Sequence, residues 1–499
     1  MAGQATKQMM PQKKNGEAQT IRRRILIAAA ECAPFAKTGG LADVVGALPG
    51  HLAPLGYDAR VIMPFHRVAK ERYGGRVRHL RSFSVDLGWR SQYVGLEQLE
   101  LDGALFYFID NEFYFGDRIY RGQEAEGEQY AFFCRAVMEA LPYLDFEPDV
   151  IHANDWHTAM LPMLVKTQYQ GKPGGGARTL LTIHNLFYQG KFTFSFVRDL
   201  LAVEDRYLTS EYMEHYGLAN FLKAGCVFAD RINTVSPTYA EEIKTEYFGE
   251  GLQGILNARS QQLSGVLNGI DYSVYDPAAD ASLPWPYNMD DLTGKYRTKE
   301  AVLEELGLYQ ADVNTPLLAM ISRMTAQKGF DLVECVLDEL MREDMAVIIL
   351  GSGDAEYENF FRAAEQRYKG RLCAYIAYRE DLAHRIYAAA DYLLMPSRFE
   401  PCGLAQMIAM RYGTLPIVRE TGGLKDTVVP YNKYTGAGTG FSFANYNAHE
   451  MADAVRRALA VYRDKTEMAA LVAQAMAADF SFDRAAAGYS ALYRLLLGD

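Results

Sequence analysis

Lys37-Thr38-Gly39-Gly40-Leu41-Ala42-Asp43 decides how this chain is read, because of what flanks it. Before it runs Arg24-Ile25-Leu26-Ile27-Ala28-Ala29-Ala30, an apolar segment with the length and composition of a buried parallel strand. After it, Leu41 to Leu48 reads as a helix. A strand, a Gly-rich turn and a helix N-terminus present free backbone N–H groups and a positive dipole end to an anion. Two later segments match this one. Ser322-Arg323-Met324-Thr325-Ala326-Gln327-Lys328-Gly329 places Arg and Lys five residues apart, and Ser397-Arg398-Phe399-Glu400-Pro401-Cys402-Gly403 sets a carboxylate in a second turn. A phosphorylated sugar donor suits these pieces together.

Working outward, short apolar runs alternate with helical stretches. Strand candidates are Ala59–Met63, Leu105–Ile109, Val150–Ala153, Thr179–Ile183 and Arg231–Thr234, then Pro316–Ile321, Ala346–Leu350, Leu372–Ile376, Tyr392–Met395 and Leu415–Val418. Helical stretches such as Glu128–Leu141, Ala159–Gln170, Asp331–Arg342 and Ala383–Ala390 lie between them. This alternation predicts an α/β fold of parallel sheets covered by helices on both faces. It breaks between about Tyr272 and Gly294, where Asp276-Pro277 and Pro284-Trp285-Pro286 read as a linker. The expected division is a disordered leader over 1–20 and a first doubly wound domain over 21–275. The linker and a second such domain follow over 276–475, and a terminal helix over 476–499 packs across the boundary.

Composition agrees. A chain of 499 residues exceeds one ordinary core, and 49% apolar with 23% charged residues is a globular balance. The net charge of −11 argues against a nucleic-acid partner, which wants a basic face. No apolar stretch is long enough to cross a bilayer. The six cysteines are scattered without a C-x-x-C pair, which reads as reduced thiols in a cytosolic protein. The polar leader lacks the apolar core of a secretion signal, and a plastid transit remnant is the alternative. Asp86, Asp102, Asp110 and Asp230 stand alone, and no Asp-x-Asp adjoins a phosphate-facing turn, so no metal site is expected.

The first Gly-Gly turn has an echo in Thr421-Gly422-Gly423-Leu424-Lys425-Asp426-Thr427-Val428. One reading makes it a second phosphate- or sugar-facing helix N-terminus that looks into a shared cleft. The other takes Gly-Gly simply as suiting a tight strand-to-helix turn.

Longer motifs carry a resemblance over nearly everything from Ile25 to about Leu497: KTGGLADVVGALP from Lys37, HANDWHTAMLP from His152, HNLFYQG from His184, FADRINTVSPTYAEEI from Phe228, VLNGID from Val266, SRMTAQKG from Ser322, SRFEPCGL from Ser397 and TGGLKDTV from Thr421. In these the chain resembles the bacterial glycogen synthases and plastid starch synthases. The resemblance implies two facing Rossmann-like domains (the GT-B architecture) with a cleft between them. It also implies a retaining transfer of glucose from ADP-glucose to the non-reducing end of an α-1,4-glucan, with no cofactor or metal. The family pattern usually has Ala where Phe187 stands, Arg-Phe where Gln129-Tyr130 stands, and Thr or Ile where Ala405 stands. These departures put acceptor preference in question rather than activity.

The same resemblance assigns roles. Arg323 and Lys328 hold the diphosphate, with Lys37, Gly39 and Gly40 reaching it from the other domain. Glu400 binds donor glucose hydroxyls, helped by the backbone of Cys402, Gly403 and Leu404. His184 lies against the reacting carbon, Asn185 and Asn268 bind glucose hydroxyls, and Tyr378 borders the adenine. Asp43 is either near the transferred glucose or a first-turn carboxylate. Asp155 and Trp156 line the acceptor side, Trp156 as a sugar-stacking face or else as a Trp buried between the domains. Glu31 is a polar position near the cleft, and Thr421, Gly422 and Gly423 form the second donor-facing turn. The rival readings are a UDP-glucose-dependent or sucrose-synthase-like transferase of the same architecture, and a catalytically dead glucan-binding scaffold.

Overall fold

The apolar run ahead of the first Gly-Gly turn is a strand, Arg23–Ala28 (β1), at the centre of a nine-stranded sheet. The structure, a computed structural model, describes residues 23–499, so the leader expected over 1–20 lies outside the described residues. Ile25 to Ala28 are wholly buried, as a strand covered on both faces requires. The other strands of this half are Tyr57–Pro64 (β2), Arg78–Leu87 (β3), Arg90–Leu101 (β4), Ala104–Asp110 (β5), Val150–Asn154 (β6) and Arg178–Ile183 (β7). Lys191–Phe192 (β8), Glu214–His215 (β9) and Leu218–Asn220 (β10) form a small separate sheet, and Arg231–Thr234 (β11) and Leu263–Gly265 (β12) return to the large one. Its order is β12-β11-β7-β6-β1-β2-β5-β4-β3.

The expected wholly parallel sheet needs correction at one edge. β3 and β4 pair antiparallel, and β4 pairs antiparallel with β5. Only Gly88 and Trp89 separate β3 from β4, and so short a connection joins antiparallel neighbours. β3 is mostly exposed and carries no apolar run, so the sequence does not mark it as a strand.

The second sheet comprises Leu317–Ile321 (β13), Ala346–Leu350 (β14), Leu372–Tyr375 (β15), Tyr392–Met395 (β16), Leu415–Arg419 (β17) and Phe441–Phe443 (β18). It is parallel throughout, in the order β15-β14-β13-β16-β17-β18. This is the doubly wound order 3-2-1-4-5-6, whose direction reverses between β13 and β16. In the first sheet the reversal lies between β1 and β6. Ligands of such sheets bind where strand order reverses, beyond the carboxyl ends of the strands.

The segment after Tyr272 is docked rather than loose. Leu283 and Tyr287 are buried in the second core, and buried Asp280 accepts hydrogen bonds from Tyr412 Oη (2.6 Å) and His384 Nδ1 (2.7 Å). Lys295 caps the carbonyls of Ala388 and Ala390 from inside, and burial lowers its ammonium to about 7. The last helix, Phe482–Leu497, returns to the first sheet, where Tyr489 and Tyr493 are buried and Tyr493 Oη lies 2.9 Å from His152 Nδ1. The two strands of chain that pass between the halves run side by side, joined by Ile270 N–H to Phe480 O at 2.8 Å.

Candidate functional site

The turns read from the sequence leave the strands that flank both reversal points. Lys37 to Gly40 follows β1, Asp155 follows β6 and His184 follows β7; Arg323 to Lys328 follows β13 and Ser397 to Gly403 follows β16. The two groups face each other. A β-carbon on Gly40 would stand 3.2 Å from Leu404 Cδ1, so a residue without a side chain lets the loops of the two halves meet.

On the first side, the 13-residue helix Gly40–Leu52 starts at Gly39 with no side-chain cap. Glu31, buried behind the turn, accepts from Thr38 N–H and Thr38 Oγ1 (2.5 and 2.8 Å). The N–H groups of Gly39 and Gly40 have no acceptor among the described residues. Lys37 Nζ pairs with Asp43 Oδ1 at 2.8 Å, both partly exposed. Burial pulls the Lys37 ammonium down, but Asp43 and the neighbouring phenols of Tyr275 and Tyr378 outweigh it and hold it up. Burial likewise raises Asp43 more than Lys37 lowers it. Tyr378, 65% exposed, thus stands at the edge of the Lys37 loop although it comes from the other half.

On the second side, Lys328 Nζ contacts Glu400 Oε2 at 2.6 Å, and Ser397 Oγ donates to the same oxygen at 3.1 Å. The Glu400 carboxylate is nearly buried and its second oxygen makes no hydrogen bond to another described residue. The Arg323 guanidinium is exposed and has no ion-pair partner among the described residues. Cys402 is buried with its sulfur facing the Asn268 backbone N–H. Gly403 and Leu404 complete that turn, and the buried side-chain oxygen of Asn268 has no hydrogen-bond partner.

At the floor lies His184. Its Nε2 is 2.8 Å from Asn154 Oδ1, and burial depresses the imidazole to about 3, so it is neutral at physiological pH. Asp155 Oδ1 accepts the backbone N–H of both His184 (2.7 Å) and Asn185 (3.2 Å) and so fixes the turn that carries them. Asp155 adopts φ +57°, a left-handed backbone uncommon outside glycine. Burial raises its carboxyl to about 7 against the opposing pull of those two N–H groups. Among the described residues no three His, Cys, Asp or Glu side chains converge as a metal site.

Two family models match this chain: the starch synthase catalytic domain over residues 24–258 and glycosyl transferases group 1 over 308–472. Glycogen synthase of Geobacillus thermodenitrificans (strain NG80-2) is 49% identical over 475 residues, covering 95% of this chain and 98% of that protein. Glycogen synthase of Lachnospira eligens is 48% identical over 478 residues, covering 95% and 100%. The chain belongs to the glycogen and starch synthase family. Among solved structures, the catalytic domain of Starch Synthase IV from Arabidopsis thaliana, bound to ADP and acarbose, matches with TM-score 0.88 and 32% identity over 96% of this chain and 100% of that one. A sucrose-phosphate synthase from Thermosynechococcus elongatus, at TM-score 0.61 and 18% identity, shares the fold. The protein is accordingly a two-Rossmann glucosyltransferase that extends a glucan.

Two expectations for this glycogen and starch synthase need correction. Trp156 offers no sugar-stacking face. It is 5% exposed, packed between Tyr130, His157, Phe192 and Phe221 in the core of the first half. The helical turn Asp155–Thr158 turns its ring inward while leaving the Asp155 carboxyl toward His184. Nor is Thr421-Gly422-Gly423 an open anion site. Both Glu242 carboxylate oxygens lie 3.1 Å from Gly422 N, and Glu242 Oε1 accepts from Thr421 Oγ1 at 3.0 Å. Gly423 N–H is spent on the carbonyls of Glu400 and Pro401.

Glu242 was missed because its importance rests on a partner 180 residues away. Tyr120 was missed as well: its phenol faces Glu31 and Thr38 behind the first turn, and nothing near it in sequence marks it.

Proposed function

We propose that this synthase takes ADP-glucose as donor and adds glucose, with retention, to the non-reducing end of an α-1,4-glucan. The observation that carries the reading is the close approach of the first Gly-Gly turn to the Glu400 turn at Gly40 and Leu404, with Lys37 on one side and Lys328, paired with Glu400, on the other. Breaking a sugar–diphosphate bond builds negative charge on the leaving group, which preorganised cations and N–H dipoles stabilise. Arg323 grips two phosphate oxygens and the lysines act as point charges. The free Glu400 oxygen and the unpartnered Asn268 oxygen accept from glucose hydroxyls. A neutral His184 and the Asn185 side chain lie beside the anomeric carbon, on a turn that Asp155 holds through the backbone N–H groups of both. Tyr378 borders the adenine. The solved Arabidopsis relative, which holds ADP and acarbose, supports a nucleotide–glucan cleft of this kind.

Three cations make a divalent ion unnecessary for the diphosphate in this scheme. We assign the enzyme to the cytoplasm by analogy with its bacterial relatives; no described helix is long and apolar enough to cross a membrane. The domain division runs at about residues 275–276, with the terminal helix returning to the first domain.

Radiolabelled ADP-glucose and UDP-glucose offered with glycogen test the reading, with and without excess chelator. Transfer from ADP-glucose with a specificity constant well above that for UDP-glucose, unaffected by chelation, is the expected result. Equal constants overturn the donor assignment. Activity lost in chelator and restored by magnesium or manganese, but not by matched salt, overturns the metal-free scheme.

A further inference from the structure

Phe187 lies three residues past His184, and Phe399 immediately precedes Glu400. Their rings meet from opposite halves of the molecule, with centroids 6.3 Å apart and planes inclined by 26°. Phe187 is 56% exposed and its neighbour Tyr188 48%. The two rings of this dipeptide stand at 86° with centroids 5.3 Å apart, forming a corner. The turn that carries them is fixed, since Phe187 N–H donates to Asn185 Oδ1 at 3.1 Å. The Tyr188 phenol makes no hydrogen bond to another described residue. Exposed aromatic surface contiguous with a reaction centre marks a place where something apolar is covered in use.

A pyranose ring has the matching chemistry: an apolar face of C–H groups bordered by hydroxyls. It stacks on an aromatic face while its rim meets a phenol. Two rings at 6.3 Å leave no room for a sugar between them, because each face needs about 3.5–4 Å. The sugar therefore lies on the open side of the Phe187–Tyr188 corner, and Phe399 backs Phe187 from the other half.

We propose that Phe187 and Tyr188 form an acceptor subsite, in which the Phe187 ring stacks on a glucose unit of the incoming glucan and the Tyr188 hydroxyl bonds its rim. This rests on the reading above that the glucan enters this cleft. The corner sets how tightly the acceptor is held rather than how the donor is held.

The test measures initial rates for wild type, Phe187→Ala, Phe187→Trp and Tyr188→Phe with glycogen and with malto-oligosaccharides of defined length. Phe187→Ala is expected to raise the acceptor KM about three- to tenfold, the scale of one aromatic stacking contact. The ADP-glucose KM should move less than twofold, and the ratio of transfer to glycogen over transfer to water at low acceptor should fall by the acceptor factor. Phe187→Trp should hold the acceptor KM at or below the wild-type value, and Tyr188→Phe should raise it about two- to fivefold. An acceptor KM in Phe187→Ala within twofold of wild type, in a variant that melts like wild type, overturns the subsite. So does a parallel rise of donor and acceptor KM, which would make Phe187 an interdomain strut. A wild type that transfers nothing from ADP-glucose removes the parent reading together with this one, whereas an active wild type with an unaltered Phe187→Ala removes this one alone.

Discussion

The two Thr-Gly-Gly-Leu turns carry nearly the same residues and end in opposite situations. Around Thr38 the Gly39 and Gly40 N–H groups are unspent, the helix behind them runs 13 residues, and Asp43 pairs with Lys37 of the same loop. Around Thr421 the helix has six residues, Glu242 from the other half occupies the turn, and Asp426 accepts from Thr238 N–H and Oγ1 at 2.8 and 2.6 Å. Gly422 permits that packing: at φ +44°, a β-carbon there would lie 2.0 Å from Glu400 O. A helix N-terminus is open to a ligand anion only where no carboxylate of the protein reaches it first. The first turn keeps its N–H groups open, and the second is a seam between domains.

Glu400 joins the two regions, with its carbonyl under the second turn and its carboxylate on Lys328. Glu400→Ala should therefore show the largest effect, a fall in kcat of about 10³-fold or more with a modest change in melting temperature. Near-wild-type turnover in a steady-state transfer assay would remove the carboxylate from the mechanism.

Next, Lys37→Ala should lower kcat/KM for the donor about 10²-fold, the scale for one preorganised charge, at nearly constant melting temperature. Its counterpart on the second turn separates the two regions cleanly. Glu242→Ala should cost about 1.5–3 kcal/mol of stability, the range for a hydrogen bond to a charged group, while leaving kcat within about threefold. If Glu242→Ala abolished transfer and Lys37→Ala only melted earlier, the roles of the two turns would be exchanged.

The smallest effect concerns a third carboxylate on backbone N–H groups, Asp155. Its folded value near 7 exceeds that of the free carboxyl, so the folded protein binds the proton more tightly than the unfolded chain. Its contribution to stability is present below about pH 4 and is lost as pH rises through 7. His152 and His184, both held near 3 by burial, act in the opposite sense, contributing above about pH 6.5 and losing that contribution as pH falls towards 3. Asp155→Asn keeps an acceptor for the His184 and Asn185 N–H groups but cannot ionise. From pH 5 to pH 8 the wild type should therefore lose a few degrees of melting temperature relative to Asp155→Asn. A constant difference across that range would show that the carboxyl titrates as an ordinary surface acid.

Most strands were legible because buried parallel strands are short apolar runs: Ile25–Ala28, Arg231–Thr234 and Ala346–Leu350 announce themselves locally. The β3–β4 hairpin does not, since its exposed face obscures the alternation. In the site, Lys37, Arg323, Lys328 and Glu400 stand out because each is a charge in a Gly-containing motif within the loop that follows a strand. The direction of Trp156 is not legible because an aromatic next to a turn Asp looks the same whether its ring points out or in.

Sequence alone determined that this is a two-Rossmann glucosyltransferase of the glycogen and starch synthase type, and it marked Lys37, Arg323, Lys328 and Glu400 as charges in loops that follow strands. Strand, turn and charge are encoded within a few residues of one another, so local chemistry suffices to read them. Only the tertiary structure decided which Gly-Gly turn stays open, where Trp156 points, that Asp155 holds the His184 turn, and that Phe187 and Phe399 meet. Each of those depends on what a distant segment brings within hydrogen-bonding or van der Waals reach, and no local pattern in the chain records it.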